Sequence, residues 1–342
     1  MRRMKCLWVI FFLFFINMVS WAKKELTVLQ WNIWQEGTMV DGGYEAIVNE
    51  IVRLTPDFVT FSEVRNYKNV DFTKRLIASL REKGETYYSF YAYDSGLLSR
   101  YPIIDSMTVF PEKGDHGSIY KLLANVDGHK IAVYTAHLDY LSCAYYNVLG
   151  YDGSTWEKIP ITGSVDEILR INEASLRDDA IRAFIGEAAK DLNNGYSVII
   201  GGDFNEPSHL DWLERNKNLN GRQGMVIPWT VSTLLEQAGY KDAYRERYPD
   251  PVSHPGITYP SDNWKKDPLK VTWAPDADER ARIDFVLYKG KLKVKEAFVF
   301  GPEMSIAYGE RVKEQRQDRF IVPLEVWPTD HKGVYVVFRM KK

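Results

Sequence analysis

Short apolar runs, many of them alternating apolar with polar residues, recur along most of the chain. They cover Glu25 to Trp31, Asp57 to Ser62, Tyr87 to Tyr93, Ile103 to Phe110, Ser118 to Val126, Lys130 to Ala136, Tyr196 to Gly201, Ile283 to Tyr288, Leu292 to Phe300 and Val334 to Arg339. Each has the length and the β-branched or aromatic content of a strand. Ten strands are too many for one ordinary sheet. Val133-Tyr134-Thr135-Ala136 and Val198-Ile199-Ile200 are apolar on both faces, as strands buried between layers should be. Helical patterns fill the gaps: Tyr44 to Leu54 stopped by Pro56, Val70 to Glu82 stopped by Gly84, a long one ending near Asn194-Gly195, and Thr230 to Ala238 stopped by Gly239. Ser164 and Glu167 form a capping-box pattern at the start of the long helix. Interleaving of this kind predicts an α/β fold with two packed sheets and helices outside them.

Two stretches depart from that scheme. Tyr140 to Gly163 is rich in aromatics and Gly, and Tyr248 to Asp278 in Pro, Trp and Asp. Both read as long loops, and loops of that length in a compact domain are more often functional than idle. No repeat, low-complexity tract or flexible linker divides residues 23 to 342, so a single catalytic domain is expected there.

Residues 1 to 22 stand apart. Arg2, Arg3 and Lys5 precede an apolar run from Cys6 to Val19, and Ser20-Trp21-Ala22 ends in small residues. The run is shorter than the roughly 20 residues that cross a bilayer and reads as a cleaved export signal. A secreted or periplasmic protein, without a transmembrane anchor once the signal is removed, is the expectation. The whole chain has 44 basic and 46 acidic residues, and the part after residue 22 has 41 against 46. This balance argues against nucleic-acid binding by bulk charge, though a local basic groove is compatible with it. At 45% hydrophobic among 342 residues, a packed core is assured and wholesale disorder is excluded. Only Cys143 follows the signal, which excludes an intramolecular disulfide.

Candidate chemistry gathers where the strands end. Leu26 to Trp31 runs into Asn32, Phe58 to Ser62 into Glu63, Ile131 to Ala136 into His137 and Asp139, and Val198 to Gly202 into Asp203 and Asn205; Asp284 lies in the strand begun at Ile283, and Asp330-His331 precedes the last strand. Such residues share one sheet edge if their strands point the same way. Asn32 and Glu63 offer hard oxygen ligands suited to Mg²⁺ or Mn²⁺ rather than zinc. His137 and His331 could serve acid-base chemistry, with Asp284 orienting an imidazole. Asp139 is open between a place in the site and a hydrogen bond to the following loop. His209 is close enough to Asn205 to be considered, whereas His116, His129 and His254 lie in polar loops where a solvated ring is the default.

Trp31-Asn32-Ile33, Phe61-Ser62-Glu63-Val64, Ala136-His137-Leu138-Asp139, Gly202-Asp203-Phe204-Asn205, Arg282-Ile283-Asp284-Phe285 and Thr329-Asp330-His331 resemble, in this order, the motifs of the endonuclease/exonuclease/phosphatase superfamily. The resemblance spans nearly the whole chain after residue 22. It implies a four-layer α/β sandwich like that of pancreatic deoxyribonuclease, two mixed β-sheets flanked by helices, and Mg²⁺-assisted hydrolysis of a phosphoester. It further implies Glu63 as the main metal carboxylate with Asn32 beside it and Asp330 as a possible further ligand. His331 would be the general base held by Asp284, Asp203 would orient the water, and Asn205 and His137 would contact phosphoryl oxygens. The loop through Tyr145 and Trp156 is expected to wall the substrate pocket.

The leading expectation is therefore an exported phosphodiesterase acting on a small molecule or lipid headgroup, with no obligate protein partner. A secreted nuclease acting on DNA or RNA is the alternative within the class. A catalytically inactive binding module on the same fold is the alternative outside it.

Overall fold

The computed structural model describes residues 25–313 and 316–341. The export signal expected over residues 1 to 22 lies outside the described residues. In chain order the elements are β1 (Glu25–Asn32), α1 (Gly43–Leu54), β2 (Phe58–Val64), α2 (Phe72–Glu82), β3 (Asp94–Ser99), β4 (Ile103–Phe110), β5 (Gly117–Val126) and β6 (His129–Leu138). There follow α3 (Ala144–Leu149), α4 (Val165–Asn172), α5 (Arg177–Asn193), β7 (Ser197–Asp203), α6 (Thr230–Gln237), β8 (Lys241–Asp242) and α7 (Ala243–Arg247). The chain closes with β9 (Asp284–Lys289), β10 (Leu292–Phe300), β11 (Met304–Ala307), β12 (Glu310–Lys313), β13 (Phe320–Ile321) and β14 (Gly333–Met340).

The strands form two six-stranded sheets, ordered β13-β10-β14-β1-β2-β3 and β4-β5-β6-β7-β9-β8, with β11-β12 as a separate hairpin. Each large sheet has a central parallel pair, β1 with β2 and β6 with β7. Antiparallel neighbours flank both pairs: β14 and β3 in the first sheet, β5 and β9 in the second. The ends of the parallel strands and the starts of β3, β9 and β14 therefore share one edge. Both sheets are mixed and helices cover their outer faces, as expected.

Period-two alternation sorts the side chains between layers. Leu26 and Val28 of β1, Phe58 of β2, Ile131 and Val133 of β6, Ile199 of β7 and Val286 of β9 meet in the apolar layer between the sheets. Their neighbours point outward: Leu29, Trp31, Val59 and Phe61 pack on α1 and α2, whereas Ala132, Tyr134, Val198 and Ile200 pack on α5 and α6. Toward the edge where the parallel strands end, the inner layer becomes polar. Thr60 Oγ1 donates to Gln30 Oε1, Thr135 Oγ1 donates to the Phe61 carbonyl, and Ser95 and Ser118 share a hydrogen bond. These partners matter because a buried hydroxyl or amide left unpaired costs about 1–3 kcal/mol.

The sheets approach closely at Gly201, where a Cβ would lie 2.3 Å from Thr60 Oγ1 of the opposite sheet. That closeness lets Ser62 Oγ join the layers, donating to the Ala136 carbonyl and accepting from the Asp203 N–H at 3.1 Å.

Several expectations are corrected. Tyr87 to Tyr93 is not a strand beyond an isolated bridge between Tyr88 and Ser99. The pairing strand is β3, whose opening Asp-Ser-Gly reads locally as a turn but lies buried against β2. The expected long helix is broken between α4 and α5. Ser175 Oγ donates to the Asn172 carbonyl, and the Asn172 side chain is held by Glu206 and Arg177, which diverts the chain from continuous helix. Half of the capping box forms: Ser164 accepts from the Glu167 N–H, while the Glu167 carboxylate pairs with Arg170. Tyr140 to Gly163 is no plain loop, because α3 lies within it and all its side chains are buried. Tyr145, Tyr146, Leu149 and Tyr151 join Trp212 and Trp229 in an apolar cluster of their own.

Candidate active site

Asn32, Asp203 and His137 sit at the ends of parallel strands on the faces that alternation turns toward the opposite sheet. Asp284 opens antiparallel β9 and pairs with Asp203 in register, which brings it to the same edge. Glu63 is the exception. Strict alternation after Ser62 would send it toward the helices, but the pairing with β3 skips it: Ser62 pairs with Ser95 and Val64 with Asp94. This bulge turns Val64 outward against Phe61 and Phe72 and leaves Glu63 facing the cleft. Glu63 takes φ 68°, a left-handed value costly for a residue with a Cβ. Asn205 and Asp94, with φ of 48° and 65°, have the same strain at the same edge.

Asn32 Nδ2 donates to Glu63 Oε1 and Asp203 Oδ2, both at 3.0 Å, and its Oδ1 accepts from the Trp34 N–H. Glu63 Oε2 accepts from the Gln35 N–H. Asp203 Oδ1 accepts from the Asn205 N–H, and Asn205 donates one amide hydrogen to the Leu138 carbonyl. Opposite them, His331 Nδ1 lies 2.9 Å from Asp284 Oδ2 and its Nε2 lies 3.7 Å from Asp203 Oδ2. Asp284 is fully buried, where an uncompensated carboxylate would be untenable. Gln30 and the imidazole supply its partners, and the backbone N–H of Asp284 donates to Thr258 Oγ1. The His331 loop is pinned by Trp327, whose indole N–H donates to the His331 carbonyl and whose ring stacks on Trp31. Tyr259 packs its ring on the imidazole, 4.7 Å between centroids.

His137 Nδ1 lies 2.8 Å from Asp94 Oδ1, and the same oxygen takes Arg65 at 2.7 Å. Arg65 also holds Asp115. Asp94, Arg65 and Tyr259 were absent from the sequence reading. Arg65 had a signal, because it lies two residues beyond Glu63 on the same strand exit. Asp94 had none short of the β2–β3 register.

Electrostatics follow from this crowding. Burial opposes charge on His137, but Asp94, Asp203 and Glu63 outweigh it and push the ring up to about 9. Burial likewise opposes charge on His331, and Asp284, Asp203 and Asp330 push it up to about 10. Asp203 and Asp330 are raised, chiefly by burial, with neighbouring carboxylates adding to the shift. Among the described residues lining the cleft, Arg65 is the one permanent cation, and two carboxylates already occupy it. Hard carboxylate oxygens of Glu63, Asp203 and Asp330 border the cleft, with Asn32 hydrogen-bonded to Glu63 and Asp203 behind them; that donor set fits a hard divalent cation. Atoms of Asp203, Asp284 and His331 also lie within 4.8 Å of one another. Two of those contacts are the His331–Asp284 hydrogen bond and the approach of Nε2 to Asp203, so the trio already forms a proton-holding array.

The cleft encloses about 250 Å³. Tyr145 and Trp156 border it together with Trp34, Tyr146 and Trp273. Trp156 lies against Tyr146 and Trp273, with centroids 4.8 and 4.9 Å apart. Asp139 is not part of the cleft wall: its carboxylate accepts from the Leu141 and Leu176 N–H groups and faces His116. His209 lies elsewhere, between Ser232 and Glu236. A larger groove of about 570 Å³ runs over the outer face of the second sheet between α6 and α7, and none of the candidate residues opens into it.

A two-sheet α/β sandwich with an acid-lined cleft and an Asp-held histidine at the shared strand edge defines a class: hydrolases of phosphoester bonds. The sequence profile described as "Endonuclease/Exonuclease/phosphatase family" matches residues 29–331. The chain belongs to this family, which is divalent-metal dependent. An uncharacterised protein of Caenorhabditis elegans is 29% identical over 314 residues, 91% of this chain and 90% of that protein. Among solved structures, D. rerio TDP2 complexed with a single-strand DNA product is similar at TM-score 0.51 and 16% identity, covering 92% of this chain and 98% of that one. Truncated C. elegans TDP2 is similar at TM-score 0.52 and 16% identity over 92% and 97% of the two chains. The human nocturnin catalytic domain, with a bound sulfate, reaches 0.50 at 14% identity over 93% and 94%. At such identities these structures speak to the fold alone.

Proposed function

We propose that residues 23–342 act as one exported catalytic unit, an Mg²⁺-assisted phosphodiesterase that hydrolyses P–O bonds by in-line attack of water. The observation that carries the reading is the convergence of the His331–Asp284 pair, Asp203 and the Glu63–Asn32 pair on one cleft. Glu63, Asn32 and Asp330 are the residues that would hold the cation. When bound, such an ion offsets the carboxylate charge and polarises the phosphoryl and leaving oxygens.

The chain's own groups do the rest. Asp203 Oδ2 and His331 Nε2 flank the place for the attacking water; with the carboxylate charge that pushes the imidazole up offset by a bound cation, Nε2 would be free to take the water's proton. Asp284 holds the Nδ1–H and stabilises the imidazolium that results. His137, kept protonated by Asp94, offers its Nε2–H to a phosphoryl oxygen, and Asn205 offers its remaining amide hydrogen to another. Tyr145 and Trp156 shape the wall against which the rest of the substrate rests.

Glu63→Ala and His331→Ala should each lower turnover of bis(p-nitrophenyl) phosphate with Mg²⁺ by at least about 100-fold while circular dichroism stays unchanged. Turnover equal to wild type in either folded variant refutes the roles assigned. A nuclease is the second reading, favoured by the aromatic wall on which bases could stack. The shortage of uncommitted cationic groups in the cleft favours a small or lipid phosphodiester instead. Assays on DNA, RNA, sphingomyelin, phosphatidylinositol and phosphomonoesters decide between them. Export predicts a mature N-terminus at Lys23, which N-terminal sequencing of the secreted or periplasmic fraction checks.

A further inference from the structure

The segment that runs along the cleft mouth is unusually apolar for a surface. Trp264, Leu269 and Trp273 are 61%, 58% and 50% exposed, and Tyr308 at the β11–β12 turn is 62% exposed. They belong together. A Cβ on Gly309 would touch the Leu269 side chain, the Tyr308 N–H donates to the Ala277 carbonyl, and Trp273 lies on Trp156 at the cleft wall. Their exposure is built in rather than slack. Val271 is buried against Trp34, Val40 and Ile306; Asp267 caps the Leu269 N–H; and the buried Glu279 carboxylate accepts from the Trp273 and Ala274 N–H groups.

The charge of this crest is opposite to that of the protein. Of the acids around it, Asp262 pairs with Arg311, Asp276 with Lys158 and Asp278 with Arg280, and Asp267 accepts at its cap, while Glu310 beside the Tyr308 turn has no ion pair among the described residues. Lys265, Lys266 and Lys270 have no carboxylate partner among the described residues. Lys265 reaches the Asp41 carbonyl, and Lys266 lies over the Trp34 ring.

We propose that this crest, Trp264 to Trp273 with Tyr308, docks the cleft onto an anionic lipid bilayer. Indole, phenol and leucine side chains beside lysines suit the boundary between headgroups and acyl chains, where apolar bodies enter and ammonium groups meet phosphates. Nucleic acid is disfavoured by the chemistry present. Leu269 offers no face to a base, and the guanidiniums nearby are spent, Arg311 on Asp262 and two backbone carbonyls and Arg65 on Asp94 and Asp115. No helix among the described residues is long and apolar enough to cross a membrane, so the contact is peripheral. Only the identity of what the surface delivers, a lipid phosphoester, rests on the phosphoesterase reading.

The test uses the chain from Lys23 onward, which contains every described element, and vesicles of phosphatidylcholine with or without phosphatidylglycerol. Co-sedimentation should show binding to the anionic vesicles, weakened at least about tenfold in Leu269→Ser/Tyr308→Ser and in Lys270→Glu, all at exposed positions. Hydrolysis of bis(p-nitrophenyl) phosphate in solution should stay at the wild-type rate in these variants. Absence of wild-type binding, or equal binding by the variants, overturns the proposal. So does a crest-dependent dimer, or saturable binding of a single-stranded oligonucleotide in place of vesicles. Failure to hydrolyse the soluble diester, with crest-dependent vesicle binding intact, removes the phosphoesterase reading and leaves the docking surface standing.

Discussion

Glu279 is a buried carboxylate outside the proposed catalytic set. It accepts from Thr272, Trp273 and Ala274, and burial, only partly offset by those bonds, pushes it up to about 7 from 4.5. The folded protein therefore holds this proton to higher pH than the unfolded chain does. Folding takes up a proton between about pH 4.5 and 7, and stability falls as pH rises across that window, by about 3 kcal/mol in all. Glu279→Gln keeps an acceptor for the backbone N–H groups and a donor for Thr272, so urea unfolding should show higher stability than wild type at pH 8 and a flatter profile below. An unchanged slope would assign the pH dependence elsewhere. At this scale the sequence was legible where residue type implies chemistry, as for Glu63, His331 and Asp203. It was silent on Asp94, whose importance arises entirely from the two cations that meet it, His137 and Arg65.

Strands explain why so many polar groups face one cleft. Leu26-Val28-Gln30-Asn32 and Ile131-Val133-Thr135-His137 each descend by twos from the apolar inter-sheet layer to its polar edge. Both ladders are readable without coordinates. The bulge at Glu63 is not, since local alternation assigns that residue to the wrong face. Nor is the purpose of Gly201, which is to let the two sheets close until Ser62 spans them. Gly201→Ala should force the sheets apart at Thr60, costing about 1–3 kcal/mol and several degrees in thermal unfolding. A melting temperature equal to wild type would mean that the layers shift freely there. The segment from Tyr140 to Gly163 shows the opposite lesson. Its aromatic content reads as a pocket wall, and Tyr140, Tyr145, Tyr146 and Trp156 border the cleft, while Tyr145 and Tyr146 also pack with Tyr151 in a buried cluster.

For the whole molecule, stability and metal binding are expected to be linked. Carboxylates raised by burial and mutual repulsion are relieved by a cation, so Mg²⁺ at about ten times its dissociation constant should stabilise the fold by about 1.4 kcal/mol. A thermal shift of a few degrees, absent in Glu63→Gln and independent of turnover, is the readout; equal shifts in both proteins would place the ion elsewhere. The layered α/β architecture and the six stations followed from the chain alone, because apolar periodicity and strand-end chemistry are local properties. Which stations touch was settled only by folding. Gln30 meets Asp284 across 254 positions of sequence, and the pairing of β2 with β3 and of β7 with β9 sets which carboxylate faces which imidazole. Such contacts depend on sheet order and register, which arise from packing between distant segments and leave no trace in any one of them.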